Sequence, residues 1–325
     1  MYFARQDPEP PPESPKPRPS PPAAGLALVF FAVAAAGLFL TRSYISVRED
    51  WLPLWQLLQE MVFFGLPWAV FYQIKPESRP FTRLDRPPKL GACVMTALAA
   101  LIGLEYFSGL DSLWVAMLSR FGLNLDTLSV WLSSGVDTSL FAAMLVTAAA
   151  PALFEELSFR GLLLPALERY GTSRAVVLTG TLFALTHMSL PGLPTHLLLG
   201  CVLAMLAIAS DSLILPMVYH FAHNAGAVAL NYMTTTVETS LTDLLSRELT
   251  TTLAIQTAVS FVIWALMLRA AFVRASVDGS TVKGEVFPPT EKLTQRIPRG
   301  IWISLALMIL LLASVYVLQF LALSL

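Results

Sequence analysis

Two carboxylates and a guanidinium stand together in FEELSFRG, Phe154 to Gly161, inside an apolar run that extends from Ser139 to Leu167. A charged side chain near a bilayer centre costs roughly 2.5 to 3.5 kcal/mol on insertion scales, so three in one run point to a site. All four histidines lie between positions 187 and 223: His187 in FALTH, His196 in LPTHLL, and His220 with His223 in HFAHN. Residues four apart share a helix face, so Glu156 can pair with Arg160, Phe183 lies beside His187, and His220 lies beside Asn224. Glu155, one step from Glu156, points about 100° away from that pair. A carboxylate facing an imidazole in a low-dielectric pocket is a general-base pair that draws a proton from water. An imidazole N–H and a carboxamide N–H on one helix face suit the oxyanion that forms when water attacks an amide carbonyl. The reaction expected of such a set is hydrolysis of a peptide bond inside a membrane.

Each group also has an ordinary structural reading. Glu156 with Arg160 can be a buried ion pair that fixes helix packing, and that role carries more weight for the pair than direct chemistry. Glu155 has no second cation on its own helix, so a purely structural role would need a partner from elsewhere. His196 is expected near the far membrane surface as a solvated imidazole. His223 lies almost one turn from His220 and could replace it; spacing does not choose between them. Glu60 is deep in Trp51 to Tyr72 with no evident partner, and a helix–helix contact suits it better than catalysis. Glu105 is expected at a span end, where it can snorkel. Cys93 and Cys201 read as small buried hydrophobes.

These groups need helices to position them. The 325 residues are 55% hydrophobic and only 13% charged, against about 25% charged in a soluble domain. The chain belongs in a bilayer, and its net charge of −1 gives no basic field for nucleic acid. The expected fold is all-α: a polytopic transmembrane helix bundle of about nine spans, near 23–40, 51–73, 90–107, 138–165, 174–190, 194–210, 213–232, 251–272 and 300–325. Residues 1–22, rich in proline and charge, read as a disordered arm; 23–137 as N-terminal spans with an amphipathic interfacial stretch at 108–137; 138–232 as the catalytic core; and 233–325 as C-terminal spans. With the arm in the cytoplasm, every Lys and Arg except Arg42, Arg48, Arg120 and Arg247 falls on that side, the bias of the positive-inside rule. Counting from a turn near Gly171, Glu155 is 16 residues back and His187 is 16 on, so antiparallel helices bring them level. His220 and Asn224 lie 9 and 13 residues from the next turn on that side, at Asp211, about 14 to 20 Å deep. The catalytic level is reached from the cytoplasmic half.

The three blocks resemble those of the CPBP family, also called the CAAX protease or abortive-infection family, of intramembrane glutamic endopeptidases: EExxxR at Glu155, Glu156 and Arg160, FxxxH at Phe183 to His187, and HxxxN at His220 to Asn224. The resemblance covers roughly residues 138–232. It implies that Glu155 and His187 activate water and that His220, rather than His223, holds the oxyanion with Asn224. It implies support or substrate binding for Glu156 and Arg160, and no cofactor. Eukaryotic members trim the last three residues of prenylated proteins; prokaryotic relatives are linked to bacteriocin maturation and immunity. The implied partner is a membrane-embedded or membrane-associated protein or peptide; the proline-rich arm and the extra C-terminal span suit a member from a bacterial inner membrane, and nothing in the sequence selects its target. Three rivals stand beside this reading. Glu155, His187 and His220 could ligate zinc with an open water position, although HExxH is missing. The same groups could relay protons or an anion in a carrier, or the chain could be an inactive scaffold.

Overall fold

The computed structural model describes residues 20–45, 47–48, 51–121, 139–234, 247–280 and 296–323. Most of the arm, the later part of the stretch 108–137 expected to be interfacial, and the segments 235–246 and 281–295 lie outside them. Among the described residues, nine helical rods run in chain order: α1 (Ala24–Tyr44), α2 (Leu52–Ile74), α3 (Leu90–Arg120), α4 (Leu140–Glu168), α5 (Thr172–Thr186), α6 (Leu193–Ser210), α7 (Ile214–Thr234), α8 (Arg247–Ser280) and α9 (Arg299–Leu323). No strand occurs among the described residues. Seven rods are long and apolar enough to cross a membrane; α5 and α7 fall short of that standard. The chain is a multi-pass membrane protein built as a helix bundle.

α8 runs on to Ser280 where a span ending near 272 is expected, and two further boundaries differ from expectation. α3 continues unbroken past residue 107 to Arg120, because Ser108 to Arg120 contains no proline and extends the helical face. Glu105 is therefore mid-helix, where it accepts a hydrogen bond from Gln256 of α8. α5 ends early, at Thr186, with Met188 in the left-handed region at φ 52°; Pro191 and Gly192 follow, and neither favours continuation.

Prolines shape the site helix. Three wide, π-helical turns occur, at Met61–Gly65 in α2 and at Met144–Ala149 and Phe159–Leu163 in α4. Each is followed at its second residue by proline: Pro67, Pro151 and Pro165. A proline inside a helix has no N–H for the carbonyl four residues back and its ring collides with it, so the turn widens. Side chains take up carbonyls in these turns. Tyr72 donates its hydroxyl to Gly161 O at 2.7 Å, Asn224 donates to Thr147 O at 3.0 Å, and Ser158 donates to Phe64 O at 2.5 Å. Gly161 and Thr147 are the carbonyls that Pro165 and Pro151 leave without their α-helical donor.

Small residues and aromatic locks set the packing. At the α5–α6 crossing, a Cβ on Gly200 would stand 2.9 Å from the Cα of Gly180, so the two glycines allow backbone contact. α3 packs along both α7 and α8, where Trp264 Nε1 donates to Tyr219 Oη at 2.9 Å and stacks on Tyr106. Tyr316 of α9 donates to Ala184 O at 2.7 Å.

One end of the bundle collects the segments that the charge pattern assigns to a common side. Buried Arg83 donates to Asp211 at 2.9 Å and to both oxygens of Glu168 at 2.9 and 2.8 Å, while Arg86 pairs with the other oxygen of Asp211. Burial alone would push the Arg83 pKa down; the Glu168 and Asp211 carboxylates outweigh it and raise the value. Arg83 and Asp211 both adopt left-handed backbone, φ 59° and 50°, and Leu213 N donates to Arg83 O at 3.0 Å. Arg169 holds the carbonyls of Pro21 and Pro22. The 75–89 loop is thus a clamp across the α4 end and the α6–α7 turn, rather than a free basic loop.

Candidate active site

α4, α5 and α7 bring the three blocks together around the ring of Phe183. The Arg160 guanidinium lies 4.6 Å from its centroid, the His187 ring 4.6 Å and the His220 ring 5.8 Å. Phe183 itself is fully buried. An aromatic face suits a guanidinium whose edge is already hydrogen-bonded.

The wide turn at Phe159–Leu163 begins directly after the two glutamates and contains Arg160. Arg160 donates Nη1 to Glu156 Oε1 and Nη2 to Gly200 O, both at 2.8 Å, and neither charged side chain has any solvent exposure. This is the expected i, i+4 pair. His220 adds to it: its Nδ1 is 2.9 Å from Glu156 Oε1. A ring nitrogen next to a carboxylate acts as the donor, which fixes the ring and directs Nε2 away from Glu156. That Nε2 is 4.0 Å from Glu155 Oε2, too far for a direct hydrogen bond and a separation at which a bridging water is the question to ask.

Glu155 is 6% exposed and its Oε2 has no hydrogen-bond partner within the protein. A buried polar atom left unpaired is costly, and this one faces the free nitrogen of His220. Glu60, also buried with an unpartnered Oε2, and Arg42 lie within electrostatic reach of Glu155. Glu60 is therefore a neighbour of the site, a placement that spacing along one chain segment does not reveal.

His187 follows the last residue of α5. Its Nδ1 is 2.7 Å from Phe183 O; a carbonyl only accepts, so Nδ1 carries the proton and Nε2 the lone pair. His196 is not a solvated surface group. Its ring stacks on His187 at 3.9 Å and 26°, and its Nδ1 is buried without a partner. A Cβ on Gly192 would come within 2.6 Å of the His196 ring, so the glycine makes room for this stack. The spacing T-H-L-L-L gave no face-sharing partner for His196 because its partner is on another helix.

Asn224, half-buried, spends one amide N–H on Thr147 O and has a second to offer. His223 faces elsewhere, edge-on to Phe107 of α3 at 5.3 Å, which is a packing position. Of the two histidines that spacing leaves open, His220 is the one beside the glutamates. Cys93 and Cys201, both half-buried, are not joined in a disulfide. Among the described residues, no group of three His, Cys, Asp or Glu side chains is arranged to hold a metal ion; Nδ1 of His187 and of His220 are already engaged with Phe183 O and Glu156.

No curated protein and no solved structure matches the chain. Residues 137–226 match the family model described as type II CAAX prenyl endopeptidase, Rce1-like. That segment is under a third of the chain, and it contains all three blocks and the wide turns that shape them. Over residues 137–226, the chain is thus similar to the CAAX prenyl endopeptidases, a family of membrane proteases.

Proposed function

We propose that the protein is an intramembrane endopeptidase that hydrolyses a peptide bond of a membrane-associated protein or peptide, with Glu155 as general base. Water held between Glu155 and the histidines gives its proton to the Glu155 carboxylate as its oxygen attacks the substrate carbonyl carbon. His187 Nε2 accepts the second water hydrogen and orients the attack. The oxyanion receives N–H bonds from His220 Nε2, protonated for this purpose and held by Glu156, and from the second N–H of Asn224. Collapse breaks the C–N bond, and Glu155 returns its proton to the departing amine. Glu156 and Arg160 hold the histidine and the helix rather than the reacting atoms. The N-terminal arm is cytoplasmic, and the membrane a bacterial inner membrane.

The observation that carries this reading is the buried, unpartnered Oε2 of Glu155 facing the free nitrogen of a carboxylate-held imidazole. A scaffold would have little reason to keep it. The carrier reading predicts flux and no cleavage. The zinc reading predicts stoichiometric metal and loss of activity to chelator. The test compares membrane proteomes of cells making the native chain and Glu155→Gln at equal protein levels. An uncleaved membrane protein should accumulate with the variant, and purified native protein should cut it in liposomes without added metal. Identical proteomes, or cleavage by the variant at the native rate, would end the proposal.

A further inference from the structure

Away from the blocks, a groove of about 870 Å³ runs between the start of α3 and the later turns of α8, within the roughly 300 to 1,000 Å³ range of small-ligand sites. Leu90, Val94, Leu266 and Val273 line it, and all four are exposed in the protein, Leu90 by 79%. Arg269 and Arg274 line the same groove. Both are exposed, and neither makes an ion pair among the described residues. Leu90 directly follows the 75–89 clamp, so the groove opens where the membrane-spanning part of α3 begins.

We propose that this groove binds an anionic phospholipid, its acyl chain along the apolar wall and its phosphodiester on Arg269 and Arg274. Charge complementarity selects the occupant. A guanidinium stays charged at any accessible pH and takes a phosphate in a bidentate fork, and basic pockets between transmembrane helices at the membrane edge are suited to anionic headgroups. Position 91 adds a geometric reason. A Cβ there would stand 3.3 Å from Arg274 Nη2, so glycine lets the guanidinium lie against the first turn of α3. The site uses none of the residues assigned to hydrolysis, so it stands or falls apart from that reading.

The experiment uses the purified full chain in neutral nanodiscs and fluorescent-tailed phosphatidylglycerol, with phosphatidylcholine of the same chains as reference. Phosphatidylglycerol should bind more tightly by about 25-fold, about fivefold for each arginine. Arg269→Gln/Arg274→Gln should abolish the preference while leaving phosphatidylcholine binding unchanged, and Arg269→Lys/Arg274→Lys should keep most of it. Glycerol 3-phosphate should not displace the lipid, because it has no chain for the groove. Equal binding of the two lipids, loss of the preference in both double variants or in neither, or displacement by the soluble phosphate would overturn the proposal.

Discussion

Replacing Arg160 with Met removes a guanidinium that has no solvent exposure and makes two hydrogen bonds of 2.8 Å, to Glu156 Oε1 and Gly200 O. The thioether fills much of the stem's volume against Phe183, so the loss is chiefly polar. Glu156 keeps His220 Nδ1 but loses its permanent cation, and Gly200 O loses a donor. A buried acceptor left unpaired costs about 1–3 kcal/mol, and breaking a buried ion pair from one side costs about 3–5 kcal/mol in all. Glu156→Gln/Arg160→Met removes both charges and strands neither, so it should be more stable than Arg160→Met alone, with a coupling of about 2–3 kcal/mol. Reversible unfolding in mixed micelles, followed by loss of helical circular dichroism, measures Arg160→Met, Glu156→Gln and the double variant against the native chain. The single replacement should shift the folded-to-unfolded ratio by at least about 100-fold. If it stays within about 1 kcal/mol of the native chain, or if the double variant loses the sum of the singles, the buried pair does not hold α4 in the way described.

Four further outcomes follow from the same geometry. Glu155→Gln should reduce cleavage by about 10²- to 10⁴-fold and leave the unfolding midpoint unchanged or higher, since no cation loses its partner; a substantial fall in stability would assign Glu155 a packing role. Tyr72→Phe, which strips the donor from Gly161 O, should lower stability by about 1 kcal/mol, read by thermal unfolding. Gly200→Ala places a methyl against the Gly180 backbone and should cost about 1–3 kcal/mol; a native midpoint would contradict the close α5–α6 crossing. Asp211→Asn takes a shared carboxylate from two buried arginines of the clamp, while Arg83 keeps Glu168, and should destabilise by about 1–3 kcal/mol, with limited proteolysis reporting new cutting in the 75–89 loop.

Much of the bundle was legible because the bilayer imposes it. A run of about 20 apolar residues must satisfy its own backbone, so Ala24–Tyr44 or Leu193–Ser210 could only be helices. The pairing of Glu156 with Arg160 was likewise fixed by helical period alone. The prolines at 67, 151 and 165 were visible too, and their meaning, a widened turn with a carbonyl to hand out, is local chemistry. Tertiary structure decided which side chains took up those carbonyls: Asn224 reaches Thr147 from a different helix, and Tyr72 reaches Gly161. It also seated His220 on Glu156, turned His223 toward Phe107, stacked His196 on His187 and set Glu60 near Glu155. Those relations depend on the rotation and crossing of neighbouring helices, set by glycine contacts and aromatic locks far apart in the chain. A one-dimensional period gives the face on which a residue lies but not the neighbour that face will meet.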